Sequence, residues 1–137
     1  MRSTLAGILL TLLLTGIASA SDTGCATDEH VVDACFDVHG RLAIYADSRL
    51  YLWPIGTHRM LGVQYPPELG LEDLPLPENV DNAVSTPSLY GLTAWVYGDF
   101  RVCPFTHDEP GELRFVCIDR GSHLVLRPPP RPLHPVE

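Results

Sequence analysis

The chain has 137 residues, a formal net charge of −8 and nine basic residues, all of them arginine. That balance argues against nucleic acid and anionic membrane surfaces as partners, because both select for clustered positive charge. The length suffices for one domain and is short for two.

The N-terminus carries a single charge, Arg2, then an apolar and small-residue run from Leu5 to Ile17, then Ala18-Ser19-Ala20. This is the layout of a secretory signal peptide cleaved after Ala20, and the run is too short for a stable membrane span. Cleavage removes Arg2 and none of the 17 acids, so the formal charge goes from −8 to −9. Thr23-Gly24-Cys25 has small residues before a cysteine, as a lipidated leader would, but Asp22 precedes them and Cys25 lies well past the apolar run. The four cysteines, Cys25, Cys35, Cys103 and Cys117, form an even set in a small exported domain and predict two disulfides. Locality favours Cys25 with Cys35 and Cys103 with Cys117. No Cys-x-x-Cys spacing supports zinc.

Residues 21–127 are expected to form the disulfide-bonded domain. Its lead-in, 21–33, is polar and acidic. Phe36, Val38, Leu42 and Ile44 then alternate with Asp37, His39, Arg41 and Ala43, the period of a strand with one buried face, and Gly40 inside it suits a bulge or sharp coil. Leu50, Leu52 and Trp53 lead to Pro54, and Met60, Leu61 and Val63 follow Gly56-Thr57, which together read as a hairpin whose first strand ends, or lies at an edge, at Pro54. Residues 64–88 hold Pro66, Pro67, Pro75, Pro77 and Pro87. They predict a long connection with a short helix near Glu78 to Val84, and a candidate binding lip.

Leu92 to Phe105 has the strongest strand signal, Thr106 to Gly111 is a turn, and Leu113 to Ile118 returns. Gly121 is expected to turn the chain again into a last strand, His123 to Arg127. Pro128 to Glu137 holds five prolines and predicts an extended, unpacked, flexible tail. Short strands with turns and no sustained helical period give an all-β class, a small barrel or sandwich.

Three segments carry a resemblance: His39-Gly40-Arg41-Leu42, Trp53 to Val63, and Tyr97-Gly98-Asp99-Phe100-Arg101-Val102-Cys103-Pro104-Phe105. With Phe115-Val116-Cys117 and Leu124 to Arg127, they resemble a family of small exported bacterial proteins of unknown function. The resemblance implies a periplasmic or secreted bacterial protein and brings no activity with it. The strand order is also similar to that of an oligomer-binding (OB-like) barrel.

No Gly-x-Ser-x-Gly elbow is present and the cysteines are better used in disulfides, so neither an enzyme nor a cofactor is expected. The candidate binding residues are Arg41, Trp53, Thr57 and Arg59. A tryptophan beside a strand-ending proline, near two arginines, suits a carboxylate, a sugar or another protein. The competing reading has Trp53 in the core and the arginines paired with Asp37, Asp47 or Asp99. A non-enzymatic envelope module that binds a protein or glycan is the expected function. The alternative is a metal or small-ligand site on the loop residues His30 and His107 and their acidic neighbours.

Overall fold

The computed structural model describes residues 24–88 and 92–130; the leader (1–20) lies outside them, as do tail residues 131–137. Five strands close into a barrel: β1 (Phe36–Ile44), β2 (Leu50–Pro54), β3 (Leu61–Val63), β4 (Trp95–Pro104) and β5 (Arg114–Arg127). Their order around the wall is β1-β2-β3-β5-β4, with β4 pairing back onto β1. All pairs are antiparallel except β3 with β5, where Leu61, Gly62 and Val63 run parallel to Arg114, Phe115 and Val116. One helix, α1 (Glu78–Val84), lies between β3 and β4. This is an all-β, OB-like barrel, and the helix sits where the proline-rich connection predicts one.

The alternation that predicts β1 also closes the barrel. Val38 and Leu42 point inward to join Leu52, Leu61, Val96, Phe100, Val102, Val116 and Ile118 in one core. β1 must serve β2 and β4 at once, and it does so at Gly40, which opposes Pro54 on one side and Gly98 on the other. A Cβ on Gly40 would come within 2.7 Å of the Trp53 carbonyl oxygen and 2.8 Å of Leu52 Cδ1. The absent side chain is therefore what lets the two strands approach at the bend.

The helix has seven residues, too few to hold together by backbone bonding alone. It is held by burying Val80, Ala83 and Val84 against the barrel core. Val80 rests where a Gly121 side chain would be, 2.5 Å from that Cβ position, and Asn79 Nδ2 donates to the Gly121 carbonyl at 2.8 Å. One expectation changes here. Gly121 does not turn the chain. It is the seat of the helix within one continuous 14-residue strand, whose bending is absorbed by register shifts against β4 and by His123 at φ 52°. The 64–88 connection is anchored by buried Pro66 and Pro77 and by the inner face of the helix, Val80, Ala83 and Val84, while residues 67–73 stand exposed. Beyond β5, Pro129 is buried, so the start of the predicted tail is packed rather than free.

The disulfides join Cys25 to Cys117 and Cys35 to Cys103, with Cα separations of 5.7 and 4.1 Å. This corrects the local pairing of Cys25 with Cys35 and Cys103 with Cys117. Cys103 and Cys117 do face each other across β4 and β5. Phe36, however, is the register partner of Val102, which brings the preceding Cys35 beside Cys103 from the other flank. Cys103 thus stands between two cysteines and takes Cys35. Cys117 is left to Cys25, which the lead-in carries across the barrel end, where the Val32 amide donates to the Pro104 carbonyl at 2.9 Å.

Asp28 locks that lead-in. Its carboxylate accepts hydrogen bonds from the His30 amide (2.9 Å), from His30 Nδ1 (2.8 Å) and from the Tyr65 hydroxyl (2.9 Å), while Tyr65 stacks on Phe105. Burial pushes this carboxyl up, but its hydrogen bonds with His30 and Tyr65 outweigh that and hold it below the ordinary 3.8. A carboxylate held low stabilises the fold above its unfolded pKa, and that contribution disappears as pH falls through the folded value. Asp28→Ala is expected to cost about 2 kcal/mol at pH 7, the scale of hydrogen bonds to a charged group. Urea midpoints of the two proteins should differ at pH 7 and converge at strongly acidic pH; a difference that stays constant with pH would count against this role.

Candidate functional site

Side chains opposite one another across antiparallel strands share a face, and so do residues two apart along a strand. On the outer wall this places Trp53 (β2), Arg41 (β1), Tyr97 (β4) and Val125 (β5) in one row, because Arg41 opposes both Trp53 and Tyr97, and Tyr97 opposes Val125. The neighbouring row holds Tyr51, its partner Ala43, and Trp95 with its partner Arg127. The inward neighbours Leu42, Leu52 and Val96 are fully buried. The aromatic residues of this face are half-buried, and Val125 and Arg127 are exposed.

Arg41 is the centre of the array. Its guanidinium carbon lies 3.9 Å from the centroid of the Trp95 ring and 4.8 Å from that of Trp53, so both tryptophans of the chain contact one cation. Arg41 Nη2 donates to the Tyr45 hydroxyl at 2.9 Å, and Arg41 Nε is buried without a partner. Tyr45 meets Tyr51 edge-on at 5.3 Å, and the Tyr51 hydroxyl donates to Asp47 at 2.7 Å. That bond holds the Asp47 carboxyl low and the Tyr51 phenol high.

The turn after β2 fixes the first indole. Trp53 Nε1 donates to the Thr57 carbonyl at 2.9 Å, and the Thr57 hydroxyl donates to the Pro54 carbonyl at 2.7 Å. Arg59 is ion-paired with Asp108, a contact that lowers the carboxyl and raises the guanidinium. An open groove of about 450 Å³ is lined by Arg41, Trp53, Thr57, Arg59, His58 and Met60. The four residues singled out in the sequence therefore converge on one surface.

The competing reading of those residues does not hold. Trp53 stands outside the core, and none of Asp37, Asp47 and Asp99 pairs with Arg41 or Arg59. Asp37 faces Arg101 at 3.5 Å, Asp47 takes Tyr51 and the Arg49 amide, and Asp99 bridges His39 (2.7 Å) and His123 (3.0 Å). Trp95, Tyr97 and Arg127 belong to the site and were not among the sequence candidates. Their signal was the phase of β4, in which Ala94 and Val96 face in and leave Trp95 and Tyr97 facing out.

Comparison of the chain with family models, curated proteins and solved structures finds no match to any of them.

The two loop histidines lie on different carboxylates, His30 Nδ1 2.8 Å from Asp28 and His107 Nδ1 3.1 Å from Asp33. Asp33 also meets Arg114 at 3.2 Å. Among the described residues the close grouping of potential metal ligands is Cys25, Cys103 and Cys117, whose sulfurs are spent in the disulfides. A groove of about 820 Å³ runs beside α1, and its arginine and histidine have acids: Arg101 lies between Asp37 and Asp119, and His39 is on Asp99. The outer face around Arg41 is different, because among the described residues its cation has no acid.

Proposed function

We propose that this protein is an exported, disulfide-bonded binding module of the bacterial cell envelope, without enzymatic activity, that engages a protein or glycan through the outer face of β2, β1, β4 and β5. One observation carries the reading: both tryptophans stand half-exposed on the wall, on either side of an arginine that no carboxylate among the described residues neutralises. Tryptophan, tyrosine and arginine are the residues that dominate binding energy at contact surfaces, because they offer large rigid area and directional hydrogen bonds. Rigid strands hold them, so little ordering cost remains to be met on binding. Export is supported by the apolar leader ending in Ala18-Ser19-Ala20 and by two disulfides, which persist in oxidising compartments.

The test is a paired capture experiment with the exported chain and a Trp53→Ala/Trp95→Ala variant against envelope extract. The wild type should retain a defined component that the variant loses, with far-UV circular dichroism unchanged. Equal recovery by both proteins, or nothing above background with the wild type, would sink the reading.

A further inference from the structure

Charge pairing narrows what this face can hold. Acids outnumber bases almost two to one in this chain, and other arginines have found them: Arg59 meets Asp108, Arg101 meets Asp37 and Asp119, Arg114 meets Asp33, and Arg120 meets Asp119. Among the described residues Arg41, Arg49 and Arg127 make no ion pair with a carboxylate, but Arg49 has Asp47 close by, where its charge helps to hold that carboxyl low, which leaves Arg41 and Arg127. Both are on the aromatic face, in contact with or directly opposite Trp95. An arginine carries five N–H donors, and the one hydrogen bond Arg41 makes is to the Tyr45 hydroxyl. Two cations without counter-charge, flanking an indole, form a receptor for acid groups, since a charge-assisted bond to a carboxylate is about twice as strong as a neutral one.

We propose that this face binds a carboxylate-bearing saccharide, its acid groups on Arg41 and Arg127 and its sugar rings against the parts of Trp53 and Trp95 that Arg41 leaves uncovered. The proposal rests on reading this face as the contact surface, and adds the class of ligand. The π faces of indoles are electron-rich, so they repel a carboxylate and accept the partly positive C–H face of a sugar ring. The acid must then go to the guanidinium groups. The groove beside Trp53 is open and rimmed by Thr57 and His58, which suits hydroxyl groups. A peptide anchor of the usual kind is seated in a closed, well-packed pocket, which this face lacks. A nucleic acid or other dense polyanion is disfavoured by a net charge of −8, with acids outnumbering bases almost two to one.

The chain contains two tryptophans and both are on this face, so intrinsic fluorescence reads the site directly. The full exported chain is titrated at physiological ionic strength with a galacturonic acid trisaccharide, its fully methyl-esterified form, and an acidic tripeptide of equal charge. The acid trisaccharide should give a saturable change, and the ester should bind at least tenfold more weakly. Arg41→Gln should bring the acid down to the level of the ester, with Arg41→Lys in between because the lysine keeps the charge and loses the fork of donors. Equal binding of acid and ester, no response to either sugar, or tighter binding of the peptide would overturn the proposal. The comparison of acid with ester uses the wild type alone, so it stands even if the variants fold poorly. Should the sugars fail while Trp53→Ala/Trp95→Ala still loses its envelope component, the ligand class falls and the contact surface stands. If both fail, so does the reading beneath it.

Discussion

Replacing Cys25 and Cys117 together by serine is expected to lower the unfolding free energy by about 3 kcal/mol, because with Cys35–Cys103 intact the bond still ties the segments 25–35 and 103–117 into one closed loop of the unfolded chain. The residues joined are 92 apart in sequence. For a domain of this size the melting temperature should drop by about 15 °C. The Cys35–Cys103 bond should survive, and peptide mapping of the variant checks this. The double substitution matters here, since Cys25→Ser alone would leave the Cys117 thiol beside Cys103. A loss below about 1 kcal/mol would mean that the lead-in is held by Asp28 and Tyr65 rather than by the covalent bond.

Gly40→Ala is the second large effect, at about 2 to 3 kcal/mol, or 10 to 15 °C in melting temperature. The new methyl would stand 2.7 Å from the Trp53 carbonyl oxygen, a backbone atom that cannot give way without moving β2. Gly121→Ala looks more crowded on distance, 2.5 Å from Val80 Cγ2, yet should cost less, because a side-chain methyl on a seven-residue helix can shift. Gly40→Ala should also disturb the site, since Trp53 is the residue displaced. A red-shifted tryptophan emission along with the lower melting point would show the two effects together, and an unchanged melting point would mean that β1 can bend elsewhere.

The local elements of this fold were readable in residue pattern, and the long-range ones were not. Alternation at Phe36 to Ile44 and again from Ala94 to Val102 marks two strands, and Pro77-Glu78 marks the helix start, because these signals lie within a few residues of their effect. The parallel contact of β3 with β5 joins three residues on each side and leaves no periodic trace. Gly121 misled because a glycine kept free for a neighbouring helix looks the same in sequence as one needed for a turn. The disulfides misled for a related reason: loop length favours near neighbours, whereas the barrel sets Cys35 and Cys117 on opposite flanks of Cys103. At the site, Arg41, Trp53, Thr57 and Arg59 were found through one hairpin. Trp95, Tyr97 and Arg127 required knowing that β4 returns to pair with β1.

The position of Cys103 between two possible partners bears on how the protein matures. The β4–β5 hairpin is a local pairing, and it presents Cys103 to Cys117, 14 residues away, before the N-terminal segment has to arrive from 68 residues upstream. Short loops close with less entropic cost than long ones, so Cys103 and Cys117 are expected to meet before Cys35 reaches Cys103. A bond formed at that meeting has to be opened by thiolate attack before Cys35 can claim its place. The yield of correctly bonded protein is therefore expected to rise with the supply of a disulfide-shuffling thiol catalyst as well as of an oxidant.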